Sequence, residues 1–253
     1  MTTTPLSSFA PDLLAGKAVY VSGGTSGIGL AIATAFAGLG ASVTGAGSSA
    51  AKVARLNGAP PAPGMRFVQL DVTDREAVAR AFDGMARLDV LVNAAGIARP
   101  DAEYRTETFL EVMEVNLNSV MGLSMAAHPL LAVQGGAIVN TASMLSYLTD
   151  VAVPAYGASK AGVLGLTRHL AHAWAKDSIR VNAVTPGYIA TDMTTGLTGD
   201  ATLTDRILHR CAIKRWGTPE DIIGAALFLA SPAAAYVTGT DIAIDGGFVS
   251  GGF

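Results

Sequence analysis

The chain of 253 residues contains one cysteine, Cys211. A single thiol cannot form an internal disulfide, and it cannot supply the cysteine ligands of a structural zinc site. The four histidines do not combine with carboxylates at the spacing that metal sites use. We therefore predict a protein without a bound metal. Its stability must come mainly from an apolar core, for which a chain of this length is sufficient.

Charged residues are also scarce, at 15% of the chain against roughly a quarter in ordinary soluble domains. The formal net charge is −3, which gives no electrostatic reason for the protein to bind nucleic acid. A surface with so few charges is suited to packing against other subunits. The apolar, glycine-rich C-terminal segment "DGGFVSGGF" (residues 245–253) fits the same role.

No long apolar run accompanies the hydrophobic content of 50%. A membrane-spanning helix needs about 20 consecutive apolar residues, and the longest runs here, such as residues 222–230, are much shorter. The N-terminal segment "MTTTPLSSFAPDLLAG" lacks the basic start and the apolar centre of a secretory signal peptide. We therefore expect a cytoplasmic protein that has no membrane partner.

Short β-branched runs alternate along the chain with helical stretches rich in alanine and leucine. The strand-like runs are apolar almost throughout, which is typical of strands covered on both faces of a sheet. The alternation predicts an α/β fold, a doubly wound parallel sheet of about seven strands with helices on both faces. The predicted strands are residues 17–22, 41–46, 66–71, 88–94, 135–143, 179–186 and 239–245. The predicted helices are residues 27–39, 74–87, 106–127, 153–176 and 219–230.

No linker interrupts this alternation, so residues 1–253 are predicted to form one domain. The proline-rich segment 57–64 comes between the second and third strands and is predicted to be a surface loop. A weakly patterned stretch rich in threonine and glycine begins at residue 191, after a strand. We expect residues 191–215 to form a lid over a substrate site.

The segment "SGGTSGIG", residues 22–29, directly follows the first predicted strand and opens the first predicted helix. Its glycines allow the backbone to turn tightly and to approach a ligand closely. The helix N-terminus then directs free N–H groups at an anion such as a phosphate. A strand–turn–helix whose glycines serve only packing would show the same pattern, because a glycine motif alone is a weak signal.

Tyr156 and Lys160 are four positions apart in the small-residue stretch "AYGASKAG", which places them on one face of a helix. A tyrosine hydroxyl has an ordinary pKa near 10, too high for a base at neutral pH. A neighbouring ammonium favours the phenolate and lowers that pKa, so the pair is suited to proton transfer. A buried tyrosine beside a lysine that extends its charge into solvent is the alternative.

Five motifs in this order and spacing resemble the short-chain dehydrogenase/reductase family. They are "SGGTSGIG" (residues 22–29), "NAAG" (93–96), Ser143, Tyr156-x3-Lys160 and "PG" (186–187). The resemblance covers the chain from about residue 14 to residue 248. It implies a single-domain Rossmann fold, a nicotinamide cofactor, a small-molecule substrate and a homotetramer.

Two departures from the family pattern are mild, since Ser22 replaces the usual threonine and Ala94 a common second asparagine. The resemblance also implies roles for single residues. The implied catalytic residues are Asn116, Ser143, Tyr156 and Lys160. The implied cofactor contacts are Gly23, Thr25, Ser26, Gly27, Ile28, Gly29, Asp71, Val72, Asn93, Ala95, Gly96, Tyr156, Lys160, Pro186, Gly187, Ile189 and Thr191. The implied substrate contacts are Ser143, Leu145, Tyr156 and Tyr188.

The choice between NAD and NADP depends on the end of the second strand. An acid at about Gly47 would bind the ribose hydroxyls of NAD and repel the extra phosphate of NADP, but none is present. An arginine at Ser26 or Ser48 would attract that phosphate, and it is also absent. We favour NAD, because the only nearby cations, Lys52 and Arg55, fit an ordinary solvated surface.

Three functions are compatible with these residues. The first is an NAD- or NADP-dependent enzyme that interconverts a secondary alcohol and a ketone on a small molecule, such as a polyol or sugar derivative. The second is a reductase of 3-oxoacyl thioesters carried on acyl carrier protein or coenzyme A, for which Arg210, Lys214 and Arg215 would form a basic entrance. The third is a nucleotide-sensing protein without catalysis, which the complete set of implied catalytic residues disfavours.

Overall fold

A single sheet of seven parallel strands organises the protein, as predicted. The computed structural model describes residues 5–251, so the ends of the predicted domain 1–253, including the last two residues of the glycine-rich tail, lie outside the described residues. The strand order is β3-β2-β1-β4-β5-β6-β7. The strands are Ala18–Ser22 (β1), Ser42–Gly47 (β2), Met65–Gln69 (β3), Val90–Asn93 (β4), Gly136–Thr141 (β5), Ile179–Pro186 (β6) and Asp241–Ile244 (β7).

Helices cover both faces of this sheet, as expected for a doubly wound fold. One face is packed by α1 (Gly27–Gly38), α2 (Ala50–Gly58) and α9 (Pro219–Ala230). The other face is packed by α3 (Arg75–Phe82), α5 (Ser119–Leu131) and α6 (Pro154–Trp174), while α4 (Thr106–Met113) packs against α6. Two short helices, α7 (Thr195–Thr198) and α8 (Ala201–Arg210), lie between β6 and α9 in the chain.

The core consists of two apolar layers that are separated by the sheet. Along β1, Val19 and Val21 join the layer under α1 and α9, whereas Tyr20 joins the layer under α3 and α5. The Tyr20 ring packs against Phe82 with centroids 4.9 Å apart. Burial of each large apolar side chain contributes about 1.5–3 kcal/mol, so both layers hold the strand ends in a fixed geometry.

The strand order places a crevice at the middle of the sheet. The chain leaves β1 towards β2 and β3 on one side and returns to β4 on the other side of β1. Ligands of open α/β sheets bind at such a switch point, outside the carboxyl ends of the strands. The segments that follow β1, β4, β5 and β6 therefore meet where a ligand is expected.

The helices differ from the predictions in four places. The predicted helix 74–87 is α3, which ends at Phe82. The predicted helix 106–127 extends to residue 131 and contains a π-helical turn at Glu114–Asn118. Helix α2 was not predicted, and it includes residues 57 and 58 of the predicted loop 57–64, of which residues 59–64 do form a loop. The proposed lid segment is more ordered than its sequence suggested, because it holds a 3-10 turn (Asp192–Thr194), α7 and α8.

Candidate active site

A cavity of about 200 Å³ lies at the carboxyl edge of the sheet. Its wall is formed by the loop after β1, the ends of β4 and β5, one face of α6 and the segment after β6. Most of the predicted site residues line it: Gly23, Ser26, Gly27, Ile28, Gly29, Ala95, Gly96, Ser143, Tyr156, Lys160, Pro186, Gly187, Ile189 and Thr191. Sequence motifs far apart in the chain are thus brought to one place.

The glycine-rich loop has the geometry of an anion cradle. Gly23 has φ +69°, and a Cβ there would lie 2.6 Å from the Ala94 backbone, so no larger residue fits. Ser26 precedes α1 in extended conformation, and its side chain forms no capping hydrogen bond. The first turn of α1 therefore faces the cavity, and no side chain caps its N–H groups. Such free N–H groups are suited to bind the phosphates of a dinucleotide.

Tyr156, Lys160 and Ser143 meet at the bottom of this cavity. Tyr156 is the third residue of α6, which begins at Pro154. Ser143 follows β5, and its hydroxyl accepts a hydrogen bond from Leu145 N at 3.2 Å. Lys160 is buried, and its Nζ donates to the Thr141 carbonyl at 2.7 Å and lies 5.6 Å from the Tyr156 ring centroid.

The electrostatics at Tyr156 differ from the expectation. Burial raises the pKa of the Tyr156 phenol, the hydrogen bond with Ser143 lowers this pKa, and the negative charge of Glu103 raises it further. Burial also lowers the pKa of Lys160 to about 8. The pKa of Tyr156 is therefore raised overall and not lowered in the protein by itself, because burial disfavours the charged phenolate.

Asn116 lies in the π-helical turn and is completely buried. Its Oδ1 accepts a hydrogen bond from Ile97 N at 2.8 Å, and its Nδ2 donates to Ile97 O at 2.9 Å and to Ser159 Oγ at 3.1 Å. A Cβ at Gly96 would lie 3.4 Å from Asn116 Oδ1 and 3.5 Å from Lys160 Nζ. Asn116 is thus adjacent to the cavity and fixes the loop after β4. π-Helical turns occur often at functional sites.

Several predicted residues lie outside the cavity wall. Thr25 is buried beneath Gly47, where its hydroxyl occupies the space of a Cβ. The Asp71 carboxylate accepts hydrogen bonds from the Thr73 backbone and hydroxyl. Val72 lines a separate groove between α3 and α5. These three predicted cofactor contacts therefore do not line the cavity.

Asn93 and the two further substrate residues also lie elsewhere. Asn93 is buried and donates to Asn140 Oδ1 at 2.9 Å, so it joins two strands. Leu145 follows Ser143 in a 3-10 turn. Tyr188 lines a second cavity of about 120 Å³ and packs edge-on against Trp216 and Phe248, with centroids 5.5 and 5.2 Å away.

Sequence reasoning missed some residues of the wall. Thr141 is the last residue of β5 and Ala142 follows it, and their position at a strand end would have indicated them. Asp192, Met193 and Thr194 come from the turn after β6. Ala94, Thr141 and Ala142 are the lining residues that the predictions missed, whereas Asp192, Met193 and Thr194 belong to the predicted lid.

Two kinds of site are not found among residues 5–251. No group of three or more histidine, cysteine, aspartate or glutamate side chains in this part of the chain could hold a metal ion. None of its helices combines the length and the apolar character that a bilayer crossing requires.

The chain is similar to characterised dehydrogenases over nearly its whole length. Residues 23–249 match a family model described as enoyl-(acyl carrier protein) reductase. The chain is 39% identical to 2-dehydro-3-deoxy-D-gluconate 5-dehydrogenase from Escherichia coli, covering 97% of this chain and 99% of that protein. The enzyme of the same name from Bacillus subtilis is 41% identical over 94% and 96%.

A solved structure agrees with this similarity. The gluconate 5-dehydrogenase from Burkholderia cenocepacia, crystallised with NADP and tartrate, superposes with a TM-score of 0.90 at 32% identity, covering 96% of this chain and all of that chain (100%). The family match, the sheet order and the clustered motifs lead to one conclusion: the chain belongs to the short-chain dehydrogenase/reductase family.

Proposed function

We propose that the protein is an NAD- or NADP-dependent oxidoreductase that interconverts a secondary alcohol and a ketone on a sugar acid or polyol. The observation that carries this proposal is the convergence of Tyr156, Ser143 and Lys160 beside the open N-terminus of α1 in one cavity. The substrate class follows the names of the relatives, which act on gluconate derivatives.

Each residue of this cluster has a chemical task in the proposed reaction. A bound nicotinamide dinucleotide supplies the acceptor or donor of hydride. The hydroxyls of Ser143 and Tyr156 hold the substrate oxygen, and in reduction Tyr156 donates its proton to that oxygen. In oxidation the ionised Tyr156 accepts the hydroxyl proton, and the charge of Lys160 stabilises the phenolate.

Burial raises the pKa of Tyr156, so the phenol is protonated at neutral pH. This protonated form is the one that reduction needs. Oxidation needs the ionised phenol, so we expect its rate to increase with pH above neutrality. The cofactor would be held by the residues from Gly23 to Gly29 at its phosphates and by the segment from Pro186 to Thr191 at the nicotinamide end. Asn116 would hold the loop after β4 in place beside Lys160.

The choice of cofactor remains a prediction. Gly47 leaves no room for an acid, because a Cβ there would overlap the Thr25 hydroxyl. Lys52, the cation nearest to this end of the cleft, pairs with Asp192 at 3.3 Å. The preference for NAD rests on the lack of an arginine at Ser26 or Ser48, whereas the Burkholderia relative binds NADP. Titration of the protein fluorescence with NAD and NADP decides between them.

Turnover is the direct test of the function. We expect absorbance changes at 340 nm when the preferred cofactor is mixed with hydroxy sugar acids, polyols or their ketones. The variant Tyr156→Phe should keep cofactor affinity but lose kcat by at least about 100-fold, because it removes the proton donor. A Phe variant with a normal rate would rule out the proposed mechanism.

A 3-oxoacyl thioester reductase is the second candidate, and its link to the family model is the carrier-linked acyl group that the description names. Its basic entrance is weak in the structure, however. Arg215 forms a bidentate ion pair with Asp221, with both distances 2.7 Å, and Arg210 packs on Phe248. Turnover of a 3-oxoacyl-coenzyme A in preference to sugar acids would establish this function. Binding of cofactor without turnover of any compound would instead favour a sensor.

The lid and the assembly are further parts of the proposal. We propose that residues 191–215 cover the substrate, since Asp192, Met193 and Thr194 already line the cavity and an ion pair joins Asp192 to Lys52 of α2. We also propose a homotetramer, because the face of α4 and α5 exposes apolar side chains such as Leu110 and Met125. A cytoplasmic location stays a prediction.

A further inference from the structure

Glu103 is a buried carboxylate beside the catalytic helix. It lies in the turn between β4 and α4, with 1% of its surface exposed. Its Oε1 accepts a hydrogen bond from Arg99 N at 2.9 Å, and its Oε2 accepts one from Tyr156 N at 2.8 Å. No ion pair to Glu103 occurs among the described residues. A buried charge without a cation is costly unless hydrogen bonds satisfy it, so these two bonds determine where the carboxylate lies.

The second of these bonds replaces a missing helix cap. The residue before α6 is Val153, whose side chain cannot accept a hydrogen bond, and α6 has no side-chain cap of its own. The first N–H groups of a helix need acceptors, and a negative charge is favourable there. Glu103 supplies the acceptor and the negative charge at the amide of Tyr156, although it lies more than 50 residues earlier in the chain.

The turn that carries Glu103 is itself fixed to the start of α6. Asp101 N donates to Ala152 O at 2.8 Å, and the Tyr104 hydroxyl donates to Val151 O at 2.8 Å. Asp101 has φ +63°, a left-handed conformation that is uncommon outside glycine. Three contacts thus join residues 101–104 to residues 151–156, and the carboxylate is held in place close to Tyr156.

We propose that Glu103 is a positioning residue, which fixes the backbone of Tyr156 and places a carboxylate at the N-terminus of α6. The inference rests on the proposed function, in which Tyr156 transfers the proton. The groups that act on the phenol come from three elements: Glu103 from the turn before α4, Ser143 after β5 and Lys160 from α6 itself. Lys160 favours the phenolate, and Glu103 opposes it.

The direction of the effect follows from these charges. The Glu103 charge raises the pKa of Tyr156, so its removal must lower that pKa. In Glu103→Gln the amide can accept only one of the two N–H bonds, because its NH2 group faces a donor at the other. We expect the pH profile of alcohol oxidation to move to lower pH. We expect kcat on the plateau to fall about tenfold from misplacement of Tyr156, with cofactor affinity unchanged.

The experiment has a matched control and a readout that needs no substrate. Glu107→Gln removes the same charge from an exposed position on α4, and it should leave the profile in place. In protein labelled with 13C at Cζ of its six tyrosines, the Tyr156 resonance is identified by its loss in Tyr156→Phe. Its titration by NMR should shift to lower pH in Glu103→Gln by the same amount as the kinetic profile.

The outcomes separate the inference from the function. If the wild-type protein oxidises no alcohol, the proposed function fails, but the NMR titration still tests Glu103. If Glu103→Gln lowers only the melting temperature and leaves the Tyr156 titration unchanged, Glu103 is a structural cap and the inference is overturned.

If Glu103→Gln does not fold, the variant Glu103→Asp replaces it, because aspartate keeps the charge and has a shorter side chain. It should titrate like the wild type with a lower kcat, and a wild-type kcat would overturn the inference.

Discussion

Lys160 brings a buried positive charge into the core of the site, with 4% of its surface exposed. Burial lowers its pKa to about 8 from an ordinary value of 10.5. Between these two values the unfolded chain binds more protons than the folded protein, so the free energy of unfolding rises with pH. The charged lysine destabilises the fold below pH 8, and this penalty is relieved as the pH increases towards 10.5.

We predict that this penalty is visible in Lys160→Met. The free energy of unfolding of the wild type, minus that of the variant, should rise by about 2 kcal/mol between pH 7 and pH 10. The lost hydrogen bond to Thr141 O adds a constant that does not depend on pH. Urea unfolding at several pH values measures the difference. Lys176→Met, at an exposed position, serves as the control, and a Lys160→Met difference that stays flat over this range would contradict the prediction.

At the scale of an element, the end of β2 limits the choice of cofactor by packing. Gly47 closes this strand, and a Cβ there would overlap the hydroxyl of the buried Thr25. The loop after β1, which carries Thr25, therefore restricts position 47 to glycine whichever cofactor binds. An acid cannot be introduced here without a change at Thr25.

We predict that Gly47→Asp lowers the free energy of unfolding by about 2 kcal/mol, as overpacking commonly does. The double variant with Thr25→Ala should regain most of that stability and bind NAD more tightly than NADP, since the new carboxylate repels the extra phosphate. Thermal unfolding and fluorescence titration measure the two effects. Gly58→Asp is the control, because a Cβ at Gly58 meets no atom within 4 Å. Equal destabilisation by both aspartates would count against the packing explanation.

The sequence predicted the sheet better than the helices. Each of the seven strands coincides with a predicted apolar run, because strands that are covered by helices on both faces consist almost entirely of apolar residues. Helix α2 escaped prediction, since its amphipathic nine residues adjoin a proline-rich loop. The π-helical turn at Glu114–Asn118 was also beyond prediction. It depends on the bonds of Asn116 to Ile97 and Ser159, and these are tertiary contacts.

The candidate site was predictable where motifs carry it. The glycine-rich loop, Ser143, Tyr156 and Lys160 all line the cavity, and the roles assigned to them stay predictions. The raised pKa of Tyr156 could not be foreseen, because burial depends on the whole fold. Glu103 was not predicted for a related reason. The sequence around residue 103 does not show that its carboxylate accepts a hydrogen bond from the amide of Tyr156.

At the scale of the whole molecule, one apolar face is left exposed. Leu110 on α4 and Met125 on α5 are 60% and 58% exposed. They are 15 positions apart, which corresponds to about four turns when one of them is a π turn, so both lie on one side of the long helix. A groove of about 700 Å³ between α3 and α5 runs beside Met125 and is lined by Val72, Val78 and Met121. Exposed apolar surface of this kind is typical of subunit interfaces.

We predict that this face forms one of the two kinds of interface in a homotetramer. Leu110→Glu should convert the tetramer into dimers, because a buried unpaired carboxylate opposes association, and sedimentation velocity measures the change. Val133→Glu replaces a residue that is 79% exposed and lies after α5, away from this face, so it should leave the tetramer intact. A wild-type protein that sediments as a monomer at micromolar concentration would disprove the assembly. Dissociation in both variants would show only that added charge disfavours association, and would remove the argument for this face.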